Sequence, residues 1–310
     1  MSMEQIKQLR ERTGAGMLDV KNALQEAGGD EQKAIELLRQ KGLATAEKKA
    51  SRVTAEGVVK AWIAADNKAG VLLEMNCETD FVAKGETFQA LTDYVLRQIQ
   101  EGASETVDAL LAQQDANHAG RTVEEAVKEV VGQVKENMTI RRFVRYQGQG
   151  SPSAVQSYIH MGGKMGVLVE VVASKPETTQ AAAFQQLLKD LGLQIAGAAS
   201  EYVSRAEVPA EVIDRETRVE MGKEDLANKP EAIRAKIVEG RVSKIVGQRV
   251  LLEQPFVKDP GKTIEDLLKE VSAQVGDTVT VSRFTRYVLG EGIDRNAEEA
   301  DEKTPASVAG

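Results

Sequence analysis

Two short apolar runs joined by a turn occur twice along the chain, at matched positions. Val58-Val59-Lys60-Ala61-Trp62-Ile63 reads as a strand, and Asp66-Asn67-Lys68 as a turn. Gly70-Val71-Leu72-Leu73-Glu74-Met75 then reads as a second, buried strand. The pattern returns 96 residues later, with Tyr158 matching Trp62 and Val167 matching Val71. Here the strands are Ala154-Val155-Gln156-Ser157-Tyr158-Ile159 and Gly166-Val167-Leu168-Val169-Glu170-Val171, around a turn at Gly162-Gly163-Lys164. Each hairpin leads into a helical period. Phe88, Leu91, Val95 and Ile99 share one face in the first copy, and Phe184, Leu187, Leu188 and Leu191 in the second. Each copy closes on a similar strand, Arg142-Phe143-Val144-Arg145-Tyr146 and Arg283-Phe284-Thr285-Arg286-Tyr287, 141 residues apart. The second copy therefore holds 45 more residues before its last strand.

Those extra residues lie between Pro209 and Gln248 and read as two polar helical arms. Val212, Val219 and Leu226 recur every seven residues on the first arm. Ile233, Ile237, Val238, Val242 and Ile245 line the second, and Asn228-Lys229-Pro230 joins the two. A narrow apolar stripe on polar helices predicts an antiparallel helical hairpin projecting from the body. Arg142 with Arg145, and Arg283 with Arg286, sit three apart in strands, hence on opposite faces. They are expected to decorate the sheets above Phe143 and Phe284.

The first 40 residues have a helical period instead. Ile6 and Leu9 mark one helix, broken at Thr13-Gly14-Ala15-Gly16. Val20, Ala23, Leu24 and Ala27 mark a second, stopped by Gly28-Gly29. Asp30 caps a third that buries Ala34, Ile35 and Leu38 and ends near Lys41-Gly42. So small a unit has a marginal core of its own, which suits a binding module. Leu18 lies off the apolar stripe, among Asp19, Asn22 and Gln25. Residues 43–54, with Glu47, Lys48, Lys49 and Arg52, read as a charged linker that is helical in part at most. After Gly290-Glu291-Gly292-Ile293 the chain turns acidic and Ala-rich, and a disordered tail is expected over 294–310. The organisation expected is 1–42, the linker 43–54, a core unit over 55–148 and a second over 149–293 with its insertion at about 209–248.

Composition narrows the function. The 310 residues carry a formal net charge of −8, which argues against direct nucleic-acid binding as the main activity. Cys77 is the one cysteine, so an internal disulfide is excluded and a reducing compartment fits. No apolar run approaches a membrane span and no signal segment opens the chain, so a cytoplasmic protein without membrane contact is expected. No stretch matches the phosphate-cradling G-x-x-x-x-G-K-[ST] pattern. His118 and His160 have no companions at ligand spacing, so neither a metal site nor a cofactor is expected. Cys77 reads as a buried structural thiol, and an enzyme is not expected.

What remains is Asn76-Cys77-Glu78-Thr79-Asp80-Phe81-Val82, an acid and an aromatic delivered at the end of a buried strand. The duplication supplies a control. Cys77 to Phe81 fall opposite Ala173-Ser174-Lys175-Pro176-Glu177, so the second copy carries Pro176-Glu177 where the first has Asp80-Phe81. That difference favours a role outside the shared core, although Phe81 taken alone reads more as a core residue than as a contact.

Several stretches together resemble the bacterial elongation factor Ts family, the guanine-nucleotide exchange factors of the translation GTPase elongation factor Tu. They are Leu9-Arg10-Glu11-Arg12-Thr13-Gly14-Ala15-Gly16-Met17-Leu18-Asp19, Asn76 to Lys84, Val238-Glu239-Gly240-Arg241, Gln254-Pro255-Phe256-Val257 and Gly290-Glu291-Gly292-Ile293, in the family's order. The resemblance implies an α+β fold: a three-helix ubiquitin-associated-like domain, then a core of two repeated β-hairpin–helix–strand subdomains with an inserted antiparallel coiled-coil hairpin. It implies that Thr79, Asp80, Phe81 and Val82 enter the GTPase near its Mg²⁺ and phosphate site. It also implies that Arg10, Met17 and Leu18 hold the nucleotide domain, while the second core unit holds another domain. The partner would be elongation factor Tu, GDP-bound and nucleotide-free, with a homodimer or a 2:2 complex left open. Family members often carry a C-terminal helical module that touches the GTPase. The stretch 294–310, with Pro305, departs from that pattern. The alternative from the same N-terminal helices is an adaptor that binds peptides or ubiquitin-like partners.

Overall fold

In the computed structural model the N-terminal apolar period becomes three helices, α1 (Met3–Thr13), α2 (Met17–Glu26) and α3 (Glu31–Lys49). The structure describes residues 2–115, 120–148 and 152–295. His118, the start of the second core unit at 149 and nearly all of the acidic stretch 294–310 lie outside the described residues. Ser2 caps α1 in a capping box with Gln5, and Gly14 closes it in the left-handed conformation (φ 66°). Asp30 caps α3 through the amides of Gln32 and Lys33. Ile6, Leu9, Val20, Ala23, Leu24 and Ala34 form a small core of their own.

The third helix does not end at Gly42 but runs on to Lys49. Gly42 is a crossing point: a Cβ on Gly132 would lie 2.5 Å from the Gly42 Cα, so two helices meet backbone to backbone there. Beyond it Ala46 is buried in the first core unit, and that packing carries the helix past a residue that would otherwise stop it.

The first core unit follows, with β1 (Glu56–Ile63), β2 (Ala69–Cys77), α4 (Asp80–Ala83), α5 (Glu86–Glu101), α6 (Val107–Ala112), α7 (Val123–Val134) and β3 (Met138–Gln147). The rest comprises β4 (Ser153–His160), β5 (Met165–Ala173), α8 (Ala182–Gly197), α9 (Ala210–Met221), α10 (Glu231–Gly247), β6 (Pro255–Phe256), β7 (Asp259–Thr263), α11 (Ile264–Val275) and β8 (Val279–Val288). The chain is α+β, with antiparallel ladders in the orders β1-β2-β3 and β4-β5-β8 and a small β6-β7 pair.

The two larger sheets agree residue by residue. Trp62 faces Val71 and Tyr158 faces Val167 across their ladders. The ladder with the closing strand slips between Glu74 and Met75 in one sheet, and between Glu170 and Val171 in the other. Each middle strand is buried on both faces, which is why it reads as an unbroken apolar run. Val71, Leu73 and Met75 pack with Phe88, Leu91, Val95 and Ile99. Leu72 points the other way, into a cluster with Val59, Tyr146, Val155, Leu168 and Tyr287 that joins the sheets. Backbone bonds cross there in matched fashion: Val59 N–H to the Gly163 carbonyl (2.8 Å), and Val155 N–H to the Asn67 carbonyl (2.7 Å).

The strand arginines do more than decorate. Arg142 lies over the Tyr287 ring (4.2 Å) and Arg283 over the Tyr146 ring (4.0 Å), each reaching into the other sheet. Arg142 also binds Glu74 (2.6 Å) and Arg283 binds Glu170 (2.7 Å), the matched acids of the middle strands. Glu74 is fully buried and accepts further bonds from Arg141 (2.8 Å) and from the Gly290 amide (2.8 Å). The Gly290-Glu291-Gly292-Ile293 stretch is thereby tied back to the strand that leads to Asp80-Phe81.

The two arms of the insertion are α9 and α10. They run antiparallel, with Glu220 near Arg241 (3.5 Å) and Glu216 near Arg249 (3.9 Å). Their seam is narrower than the heptad count suggests. Val238, Val242 and Val246 are buried with Leu226, Val208 and Val250. Val219 is 56% exposed and Ile233 52% exposed. The heptad fails because α9 ends at Met221 and Leu226 sits in a separate 3-10 turn, Glu224–Leu226, so the three positions do not share one helix.

Candidate functional site

β2 ends at Cys77 with its side chain in the core, and the chain turns outward over the next seven residues. Thr79 is extended (φ −124°, ψ 152°), and its hydroxyl accepts the Val82 amide (3.3 Å), which starts the single turn α4. Ala83 is buried and Val82 partly so, both against the first core cluster. Once those two face inward, Phe81 is left outside, 84% exposed. The other five phenylalanines are buried or pack against a core cluster. Leaving a phenylalanine side chain in water forgoes about 1.5–3 kcal/mol, so nothing inside the fold accounts for its position.

Asp80 does not cap this turn. The capping oxygen is that of Thr79. Asp80 pairs with Lys84 one turn on (2.7 Å), and the Lys84 hydrogen bond and charge hold its carboxyl below the usual carboxylate range and push the ammonium up. Both groups are exposed, so the pair steers the local charge far more than it stabilises the fold.

The turn is held from a distant part of the chain. Glu136, just past the end of α7, accepts the Thr79 amide (3.1 Å) with one carboxylate oxygen and the Thr79 hydroxyl (2.9 Å) with the other. Glu78 accepts the Asn137 amide, and the Asn137 side chain donates to the carbonyl of Arg52 (2.9 Å). The Cys77 thiol is fully buried and donates to the Thr79 carbonyl (3.2 Å). Burial pushes its pKa up to about 12, so it stays protonated and serves the turn as a donor. Among the described residues no three His, Cys, Asp or Glu side chains are placed to hold a metal. His160 stacks on Tyr158, and a ring nitrogen sits 3.0 Å from the tyrosine hydroxyl.

Arg10, Met17 and Leu18 form a second exposed feature, with Met17 41% and Leu18 68% accessible. Leu18 faces outward because Val20, Ala23 and Leu24 take the inner face of α2. The structure does not bring these residues into contact with 79–82. It connects the two features through the end of α7. Gln133 donates to the Thr13 carbonyl (2.8 Å), Lys135 pairs with Asp19 (3.5 Å), and Glu136 follows immediately. Glu136 and Gln133 carry no local sequence signal, whereas Lys84 stands four residues after Asp80, the spacing of an ion pair along one helical turn. The duplication held the one clue to Glu136, since Asp277 stands at the matching position before the last strand of the second copy.

No helix among the described residues is long and apolar enough to cross a membrane. The family model described as "Elongation factor TS" matches residues 78–291. A protein of Nostoc sp. named elongation factor Ts is 43% identical over 309 residues, 99% of this chain and 98% of its own length. Proteins of the same name from Aquifex aeolicus and Trichlorobacter lovleyi are 43% and 42% identical, each over 295 residues. They cover 94% and 95% of this chain, and 98% and 94% of their own lengths. With a match of this length to both the family model and full-length relatives, the chain belongs to the elongation factor Ts family.

Proposed function

We propose that this chain is a guanine-nucleotide exchange factor in translation elongation, acting in the cytoplasm on elongation factor Tu. Thr79, Asp80, Phe81 and Val82 form the element that disturbs the Mg²⁺ and phosphate site of the partner. The observation that carries the reading is Phe81, 84% exposed on a turn whose every other apolar residue is anchored. Arg10, Met17 and Leu18 form a separate grip on the nucleotide domain, and the second core unit supplies another. The organisation behind this is a three-helix partner-binding unit over 1–42 and core units over 55–148 and 149–293. Residues 43–49 extend the third helix, so the connecting segment shortens to 50–54.

No bond is made or broken by the exchange factor itself. A GTPase holds GDP through phosphate-loop amides and Mg²⁺. A protein that binds the nucleotide-free state better than the GDP-bound state weakens GDP binding by the same factor. Burying Phe81 in the partner supplies about 1.5–3 kcal/mol, a factor of about 10 to 150. Stronger coupling requires the additional grips, each fitting the distorted partner best.

Phe81→Ala separates the roles. Release of fluorescent GDP from elongation factor Tu, followed by stopped flow at saturating variant, is expected to slow about tenfold or more, while the remaining grips preserve binding. An unchanged saturating rate would refute the wedge.

A further inference from the structure

The duplication places a carboxylate at the same point in both copies, and only one of the two holds a functional turn. Asp277 follows α11 as Glu136 follows α7, 141 residues earlier. Asp277 accepts the amides of Ser174 (3.1 Å) and Lys175 (2.9 Å) and the Thr178 hydroxyl (2.7 Å). Lys175 matches Thr79, so each carboxylate clamps the chain just beyond the middle strand of its sheet. In the second copy the clamped segment continues as the 3-10 turn Pro176–Gln180, which buries Thr178. In the first it continues as α4, which presents Phe81.

The clamp of the first copy also has a reach that the second lacks. The residue before each carboxylate is left-handed, Gly276 at φ 61° in one copy and Lys135 at φ 65° in the other. A glycine adopts that conformation freely, whereas a lysine is strained there. Lys135 pairs with Asp19 of the N-terminal helices, and Gln133 holds the Thr13 carbonyl. The segment that fixes Thr79 is therefore the one that fixes the N-terminal grip.

We propose that Glu136 is a positioning residue for exchange: through its paired bonds to Thr79 it holds the α4 turn so that Phe81 stands at a fixed place relative to the N-terminal helices. Glu136 need not touch the partner. The inference rests on the reading of Phe81 as the wedge. Without the carboxylate, Thr79 keeps its cap on Val82 but loses both bonds that orient it, and Phe81 samples more than one direction.

The test compares Glu136→Ala, Glu136→Gln, Asp277→Ala and Phe81→Ala, all in the full chain, for release of fluorescent GDP from elongation factor Tu. The saturating rate and the half-saturating concentration are read separately. Glu136→Ala is expected to lower the saturating rate about tenfold, the worth of a charge-assisted hydrogen bond or two, with a half-saturating concentration within about twofold of wild type. Glu136→Gln, which still accepts the Thr79 amide, should recover most of the rate. Asp277→Ala, the same loss in the second copy, should leave it unchanged. If Phe81→Ala slows exchange but Glu136→Ala does not, the positioning role is overturned and the wedge stands. An equal loss of rate in Glu136→Ala and Asp277→Ala would also overturn it, because the defect would then be one of general stability. If Phe81→Ala is silent, the wedge itself fails. Melting curves of each free variant show whether it folds. Should Glu136→Ala not fold, the double variant Glu136→Gln/Thr79→Val, which loses the charge and the hydroxyl donor together, carries the test, and a wild-type rate in it overturns the proposal.

Discussion

Gly132→Ala is the substitution that probes how the N-terminal helices are fastened to the core. Gly132 lies in α7, and a Cβ there would sit 2.5 Å from the Gly42 Cα of α3. Carbon atoms in contact keep about 3.5–4.0 Å, so the two helices must separate by about 1 Å. Overpacking of that kind costs about 1–3 kcal/mol. Replacing glycine within a helix returns about 0.8–1 kcal/mol, leaving a net loss of about 0–2 kcal/mol. Gly240 is the internal comparison. It lies in α10, is exposed, and has nothing within 4 Å of its would-be Cβ. Gly240→Ala should therefore stabilise by about 0.8–1 kcal/mol, and the two substitutions should differ by about 1–3 kcal/mol. Urea unfolding by circular dichroism gives the energies. Amide hydrogen exchange locates the change, with faster exchange expected through α1–α3 in Gly132→Ala only. If Gly132→Ala stabilised as much as Gly240→Ala, with no change in exchange at α1–α3, the backbone crossing would be refuted. The fixed placing of Leu18 relative to Phe81 would fall with it.

Glu74→Ala should cost more than Glu170→Ala, about 2–4 against about 1–2 kcal/mol. Glu74 satisfies two arginines and the Gly290 amide, whereas Glu170 is held by Arg283, and urea melts followed through the lone tryptophan, Trp62, would read the difference. Cys77 should react with a thiol reagent at pH 8 only as fast as the protein opens. With its folded pKa raised from 9.0 to about 12, the unfolded chain ionises first, so stability falls as pH rises from 9 towards 12. Cys77→Ala should flatten that limb, and fast labelling of native protein would refute the burial argument.

The strands and principal helices were legible because burial on two faces leaves unbroken apolar runs, and burial on one leaves a helical period. Trp62 opposite Val71 and Tyr158 opposite Val167 follow from the length of each hairpin turn. The seam of α9 and α10 was half legible. A seven-residue spacing fixes neither the face that a helix buries nor where it stops: Val219 lies within α9 yet is exposed, and Leu226 lies beyond its end. Arg142 over Tyr287 was hidden, since it depends on how two sheets pack face to face. Phe81 could not be decided from pattern, because three successive residues of a single turn, Phe81, Val82 and Ala83, include one that must face out, and all three are apolar. Glu136 lies 57 residues from the turn it holds, between the end of α7 and the start of β3, and nothing local in the sequence names its partner.

The duplication lets function be located by difference. Both copies share sheet order, register, the slip beside Glu74 and Glu170, the arginine-on-tyrosine exchange and a carboxylate clamp. Features held in common are accounted for by the fold, since each copy needs the same sheet and the same covered face. Apart from the inserted arms and the connections between helix and last strand, three departures fall in or beside the clamped turn. Phe81 stands where the second copy has Glu177, Asp80 where it has Pro176, and Lys135 where it has Gly276. None of the three improves packing: Phe81 is exposed, Asp80 is paired with an exposed Lys84, and Lys135 occupies a backbone conformation that suits glycine. Each is neutral or unfavourable for folding, and all three belong to the exposed turn or to the segment that ties it to the N-terminal helices. Residues that the fold would be better without are those whose energy is recovered elsewhere. For this chain that points to a surface met by α4 and α2 together, set by Glu136 and the Gly42–Gly132 crossing.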